Sequence, residues 1–493
     1  MEAIRRFFKL DERGTTVATE VRAGVVTFMT MAYIIVVQPI VLMSAGMPLK
    51  AVMLATCLSS AFATALMGLL ANYPIALAPA MGHNFYFTLL VVSGAVPNWQ
   101  TALGANFISG ALFLALSFVG FRERIIRAVP DSLKYAIAVG IGLLIALVGF
   151  QTAGFIAENA DNPIATGLRL GPLGKPAVLA AIGLAITGGL MAFRVRGAIL
   201  IGLLATTIVG IAMGLVRPAA TLVSRPPWGE LKETFLALDV AGACRMGLLG
   251  VVFTFFFLDL FDTIGTLIGV SQQAGFMVNG ELPRARQALF SDAAGTVAGT
   301  LLGTSTVTSY IESSAGVSEG GRTGLANLVT AALFLGAMFF SPCVEMIAGG
   351  VPTTQEMHLK HVQASWQTKQ ELAGKTVQHE TEAQGPAGAT LVVRRLKVLS
   401  PVTAPTLILI GCLIMSAVAH IPWSDWTEAL PAFLAMLMMP LTGNITEGIA
   451  FGFIAYAFLK LLTGRGRQVS PWLLAFAALF VVRYVYMAFY GVS

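Results

Sequence analysis

The chain is a succession of apolar runs separated by short polar connectors. The runs are about 18–25 residues long, enough to cross a bilayer as helices. Uninterrupted runs occupy 24–46, 52–71, 102–120, 132–151, 176–193 and 198–216, then 246–274, 286–302, 324–341, 401–419, 429–441 and 444–463. Two further stretches, 75–92 and 304–318, lie in the same rhythm but are broken by Gly, Pro or polar residues. With them, the pattern predicts seven spans before the polar stretch 217–243 and seven after it. The expected fold is an all-α polytopic membrane protein of fourteen transmembrane segments. One repeat would cover 1–243 and a second 244–463, with 464–493 a C-terminal apolar segment. The run 471–490 contains Arg483, so it either crosses or lies along the interface. No β-barrel is suggested, because the runs do not alternate. The first run, Val25 to Met47, is too long for a signal-peptide core and should remain as span one.

The two broken stretches organise the rest. Gly303 to Glu319 reads GTSTVTSYIESSAGVSE and places a carboxyl, Glu312, between apolar segments. A carboxylate at bilayer depth costs about 3 kcal/mol even on lenient scales, so it is normally kept for a job. The run 304–309 favours extended backbone over helix, and a helix could begin near Ser309 or Tyr310. Such backbone is tolerated at membrane depth only inside protein or lining a cavity. The competing explanation is a surface loop with an ordinary Glu. Ile75 to Thr88, IALAPAMGHNFYFT, is similar: extended to Pro79, then a Gly and a polar pair, then a helix. Asn84 and Glu312 are 312 − 84 = 228 residues apart. Interrupted segments at matching places in two halves point to an inverted-repeat transporter, with short strands in spans three and ten.

Composition agrees. The chain is 56% hydrophobic and 11% charged, with a mean hydropathy of +0.79, against about 25% charged residues in soluble domains. The net charge of +6 fits basic cytoplasmic loops better than a nucleic-acid-binding face. Arg5, Arg6 and Lys9 precede span one. Arg122, Arg124 and Arg127, then Arg194 and Arg196, Arg284 and Arg286, and Lys460, Arg465 and Arg467 follow even-numbered spans. One topology fits all of them, with a cytoplasmic N-terminus in an inner or plasma membrane. Cys57, Cys244, Cys343 and Cys412 are scattered and read as small buried hydrophobes, without metal or disulfide spacing.

Residues 351–400 interrupt the regularity on the non-cytoplasmic side. They hold His358, His361 and His379, a mixed-charge run and a strand-like piece, Thr390 to Leu399. Arg394, Arg395 and Lys397 run against the charge rule, which long translocated loops often escape. A small soluble excursion or a flexible loop is expected. His358 and His361 could share a helix face and touch a metal, but no Cys or acidic ligand set completes a site. No cofactor, metal or enzyme activity is expected, since no nucleophile–base pair or nucleotide loop appears.

Span eight carries Asp259 and Asp262 three residues apart, with Thr263 and Thr266 nearby. That spacing predicts a shared helix face. Two charged carboxyls facing lipid would cost roughly 6 kcal/mol, so they must face the interior, pair, or carry a proton. A carboxyl that takes a proton on one side and releases it on the other is the physical basis of proton coupling. The half-helix starts near Gly82 to Asn84 and Tyr310 to Glu312 offer unpaired N–H groups. Asn84 donates and accepts, an ionised Glu312 accepts, and Thr308 lies in the extended run between them. Phe85, Tyr86 and Phe87 could stack on a flat ring or simply pack. A planar ligand with several donors and acceptors suits this set better than a bare ion or a sugar.

At these residues the sequence resembles the nucleobase–ascorbate transporter superfamily, and within it the adenine/guanine/hypoxanthine permease branch. The motifs are TFMTMAYIIVVQP at 27–39, APAMGHNFYF at 78–87, LDLFDTIGTLIGV at 258–270, GTSTVTSYIESSAGV at 303–317, GGRTG at 320–324 and ITEGIAFGFIAY at 445–456. The resemblance implies two inverted seven-span repeats. Spans 1–4 and 8–11 would form a core domain, and spans 5–7 and 12–14 a gate domain. It implies a secondary-active, commonly proton-coupled purine nucleobase permease, and homodimers occur in the superfamily. Carried over by position, Asn84, Asp259 and Glu312 resemble base-contacting residues and Asp262 a supporting or coupling one. Ala80, His83 and Gln38 depart from the family pattern of Gly, a hydrophobic residue and Asn. His83 can titrate near neutral pH and is a third candidate, with Asp262 and Glu312, for proton coupling. The departures leave uracil, xanthine or a small organic anion as alternative cargoes, and a passive facilitator as an alternative mode.

Overall fold

The computed structural model describes residues 2–92, 94–119, 129–158, 168–171, 173–245, 249–277, 282–348, 351–355, 395–399, 401–443 and 445–490. The first span is one apolar run broken at Ala32 and Tyr33 into α1 (Val17–Met31) and α2 (Ile34–Met43). Next come α3 (Leu49–Leu70), the short strand β1 (Leu77–Pro79), α4 (Met81–Val92), α5 (Trp99–Val119), α6 (Asp131–Ala153), α7 (Lys175–Ala192) and α8 (Ala198–Ala212). The second half has α9 (Leu249–Gln273), α10 (Ala285–Leu302), β2 (Val307–Ser309), α11 (Ser313–Ser318) and α12 (Gly324–Ala337). It ends with α13 (Ala404–Ile414), α14 (Trp426–Thr442), α15 (Ile445–Leu462) and α16 (Pro471–Tyr490). Among the described residues, eight helices are long and apolar enough to cross a membrane.

The broken spans meet. β1 pairs antiparallel with β2 in the register Leu77↔Ser309, Ala78↔Thr308, Pro79↔Val307. Their surroundings repeat. The Thr64 hydroxyl of α3 donates to Leu77 O at 2.9 Å, and that of Thr296 in α10 to Val307 O at 2.9 Å. These bonds hold short extended pieces that have no wider sheet to pair with. Gly303, at φ +98, ends α10 and turns the chain toward β2. Gly299 makes room for that strand: a Cβ there would lie 2.8 Å from Val307 Cγ2 and 3.1 Å from Ser305 O.

Around this centre the helices pack in two groups. α3 packs on α10 and α12, α5 on α10, and α12 on α1. Separately, α6 packs on α13 and α14, α14 on α15, and α7 on α8. In the first group small residues bring backbones together: a Cβ on Gly68 of α3 would meet Gly324 O at 2.6 Å.

The connectors sort into two sets. In one, Asn72 bonds Phe8 O at 2.9 Å and receives Gly324 N at 2.7 Å; Arg13 lies over Phe276; and Arg465 pairs with Asp425 at 2.9 Å. In the other, Lys50 pairs with Glu230 at 3.4 Å and Glu345 at 3.3 Å; Ser224 bonds Ser341 at 3.0 Å; and Asp239 N bonds Gln100 O at 2.9 Å. The first set holds connectors that follow even-numbered spans, with the N-terminal segment, and the second those that follow odd-numbered ones.

Three features were not foreseen. A two-stranded ribbon, Ile156–Glu158 with Leu168–Leu170, fills the connector after α6. α11 begins at Ser313, later than the Ser309 or Tyr310 expected from the sequence. α16 runs antiparallel along α15, as the pairs Phe453–Phe480, Phe451–Tyr484 and Glu447–Arg483 show. The Arg483 charge is met by Glu447 at 2.7 Å. Residues Val351–Gln355 pair antiparallel with Arg395–Leu399, closing the ends of the 351–400 excursion. His358, His361 and His379 lie outside the described residues.

Candidate functional site

The strand pair gathers polar side chains from five helices. Glu312, just before α11, is half-buried and accepts a 2.7 Å hydrogen bond from the Tyr33 hydroxyl. Thr30 donates to the backbone carbonyl of Glu312 at 3.3 Å. The break between α1 and α2 therefore turns an aromatic hydroxyl onto the key carboxyl. Thr308, buried in β2, donates to Asp262 Oδ2 at 3.3 Å. Asp262 and Glu312 are close enough for their charges to interact.

The two aspartates of α9 do not share an environment, contrary to the sequence expectation. Asp262 is exposed, whereas Asp259 is buried. Positions three apart on a helix lie about 60° apart around the axis, enough to separate a lining residue from a packed one. Asp259 turns into the protein, where the Thr263 hydroxyl approaches it at 3.4 Å. That hydroxyl lies closer to a third carboxyl, Asp292 of α10, at 2.8 Å. Asp292 also accepts the backbone N–H of Ser309 at 3.1 Å. It thus anchors the end of β2 to α9 and α10, and sequence reading missed it because it stands near the start of an unremarkable span.

Asn84 is fully buried at the start of α4. Its Oδ1 accepts from Ser305, and the Gln38 amide donates to Ser305 Oγ at 3.1 Å and Thr304 Oγ1 at 2.9 Å. Among the described residues, Asn84 Nδ2 has no hydrogen-bond partner. A buried amide N–H without a partner costs about 1–3 kcal/mol, so the arrangement leaves a donor free for a ligand. Gln38 is therefore part of the site's frame, where the sequence marked it only as a departure.

The aromatic candidates separate. Phe85 belongs to the apolar cluster that also holds Met81 and Tyr310, whereas Phe87 is fully buried in a different cluster, the one that holds Leu103 and Phe255. His83 is also buried, beside the backbone carbonyl of Phe255, and among the described residues neither ring nitrogen completes a hydrogen bond of ordinary geometry. The structure thus sets Thr308 against Asp262 and Asn84 against Ser305, at and just before β2, with Glu312 just after it, and it buries Asp259, His83 and Phe87. Among the described residues no group of His, Cys, Asp and Glu is arranged to hold a metal.

The chain is 38% identical to the guanine/hypoxanthine permease PbuO of Bacillus subtilis over 97% of its length and 99% of the relative's. It is 39% identical to the adenine permease AdeP of Escherichia coli, covering 98% of this chain and 96% of that one. In fold it is similar to the transmembrane domain of a cyanobacterium bicarbonate transporter, BicA, at a TM-score of 0.58 and 13% identity, over 87% of this chain and 97% of that one. Residues 18–355 match the model of the Permease family. The chain is a multi-pass membrane transporter rather than an enzyme, and it belongs to the Permease family, in its adenine/guanine/hypoxanthine permease branch.

Proposed function

We propose that the chain is a secondary-active, proton-coupled purine nucleobase permease of an inner or plasma membrane, with its N-terminus in the cytoplasm. The observation that carries this reading is that Glu312, Asp262 and Asn84, whose Nδ2 has no partner among the described residues, are all tied to β2 or the residues flanking it. A purine presents donors and acceptors along a flat edge. Glu312 and Asp262 would accept from its N–H groups, Asn84 would donate, and Phe85 would lie near its face. Thr308 positions Asp262. Asp259, with Asp292, would hold the frame. Asp262 and Glu312 would carry the proton, and the placement of His83 behind the site argues against a share for it.

The fourteen-span reading, in two inverted repeats, is supported by the antiparallel strands, the matching Thr64 and Thr296 bonds and the sorting of connectors. Spans 1–4 and 8–11 would be the core domain and spans 5–7 and 12–14 the gate domain, in keeping with the two packing groups. Core would move against gate to give alternating access.

The test is uptake of radiolabelled adenine, guanine and hypoxanthine into proteoliposomes, with and without an imposed inward proton gradient. Gradient-driven accumulation of one of them is expected. Equilibration without accumulation would reject proton coupling. Absence of uptake for all three would reject the purine assignment and favour uracil, xanthine or a small anion.

A further inference from the structure

Arg196 lies outside the site, yet it makes an ion pair between the two packing groups. It stands in the turn joining α7 to α8, and its guanidinium meets the carboxylate of Glu319, which follows α11. Arg22 of α1 meets the other oxygen of the same carboxylate at 3.2 Å. The Glu319 side chain is only 7% exposed, against 62% for Arg22 and 64% for Arg196. The acid is enclosed and the bases cover it. The turn is pressed against α1: Arg194 and Gly197 are both left-handed, at φ 56 and 69. A Cβ on Gly197 would sit 3.3 Å from Met29 Cβ.

The site opens toward this same face. Asp262, Gly265, Gly269, Gln272 and Gln273 form an exposed stripe on one side of α9. Among the described residues, a Cβ on Gly265 or Gly269 would meet nothing within 4 Å. A lipid-facing stripe would be apolar, whereas this one holds a carboxyl and two amides, so it lines a watery path. Across it, Ile311 and Ser318 are exposed, and Gln273 Nε2 bonds Ser318 Oγ at 2.9 Å at the mouth. The other face is shut by α15: Thr446 bonds Thr254 of α9 at 2.8 Å and Tyr86 of α4 at 3.2 Å.

We propose that the Arg196–Glu319 pair is a clasp between the gate turn and the core, holding the protein in the state whose site opens to the face bearing the α9 C-terminus. Arg22 keeps Glu319 paired when the clasp is released, so letting go of Arg196 does not strand a bare carboxylate. Each transport cycle would break the clasp as the core moves and remake it on return.

The inference rests on the two-bundle reading above, and its test reads accessibility instead of uptake, so it can fail separately from the substrate assignment. The protein would carry C244S, C343S and C412S, with Gly269→Cys as reporter on the open stripe, in lipid nanodiscs without substrate. Arg196→Gln should slow maleimide labelling of the reporter about threefold, the scale of one partly exposed ion pair. Arg22→Gln, which removes only the pair inside the core, should leave the rate unchanged, and Arg196→Lys should stay close to the parent. A parent-like rate in Arg196→Gln would overturn the clasp. So would equal slowing in Arg22→Gln, which would mean that only the charge around Glu319 matters.

Discussion

The two broken spans share a scaffold and divide the chemistry. In each, a Thr from the preceding helix bonds the strand, and a three-residue strand leads into a helix. The first continues into a twelve-residue helix with three aromatic residues and no carboxyl. The second continues into a six-residue helix preceded by Glu312 and followed by Glu319. The polar member is held by hydrogen bonds that Tyr33 and Thr30 donate to Glu312 and by Asp292, which accepts the Ser309 N–H. A near-symmetric frame can thus hold an asymmetric ligand, because only one half must offer charge.

The sharpest way to break this comparison is to make the second member chemically resemble the first. Glu312→Gln should lower purine uptake about a hundredfold or more while the purified protein keeps its size-exclusion profile, since a charge-assisted contact and a proton carrier are lost together. Normal uptake would remove Glu312 from the site.

Next in size is Asp292→Ala. It leaves the Ser309 amide without its acceptor, at about 1–3 kcal/mol, and the Thr263 hydroxyl with only the longer 3.4 Å approach to Asp259. A lower midpoint of thermal unfolding in detergent is expected, with uptake reduced at least about tenfold. An unchanged midpoint would show that β2 does not depend on this anchor.

Tyr33→Phe deletes one hydrogen bond to a carboxylate, worth about 1.5–3 kcal/mol. Purine affinity should weaken about tenfold in competition assays, with stability little changed. An unchanged affinity would mean that Tyr33 only packs.

The smallest effects should separate the aromatic pair of the first member. Phe85→Leu should raise KM a few-fold, the scale of one aromatic contact. Phe87→Leu should leave KM alone and cost stability. Reversal of the two would place the ligand on the other side of α4.

Much of this was legible from pattern alone. Thr/Val/Ser at 304–309 and the Pro at 79 gave the strands, and Glu312 stood out because charge is rare at that depth. Direction around a helix was harder. The spacing of Asp259 and Asp262 says that they are neighbours, but burial turns on which way α9 faces its partners. Tyr33, Gln38 and Asp292 stand 279, 266 and 17 residues from the groups they hold, at Glu312, Thr304 and Ser309. No local periodicity encodes such contacts. The clasp was hidden differently: Arg196 already had an explanation as one of the positive charges that orient the chain.

The ribbon Val351–Gln355 with Arg395–Leu399 has a consequence for how the gene can vary and be engineered. It brings the backbones of Gln355 and Arg395 side by side, so a graft inserted between them starts and ends at one place. Lengthening such a graft costs little, about 0.6 kcal/mol per doubling. A short turn, a fluorescent reporter or an affinity tag should fit there without disturbing the helices, which makes this stem a natural insertion point for following the protein in cells.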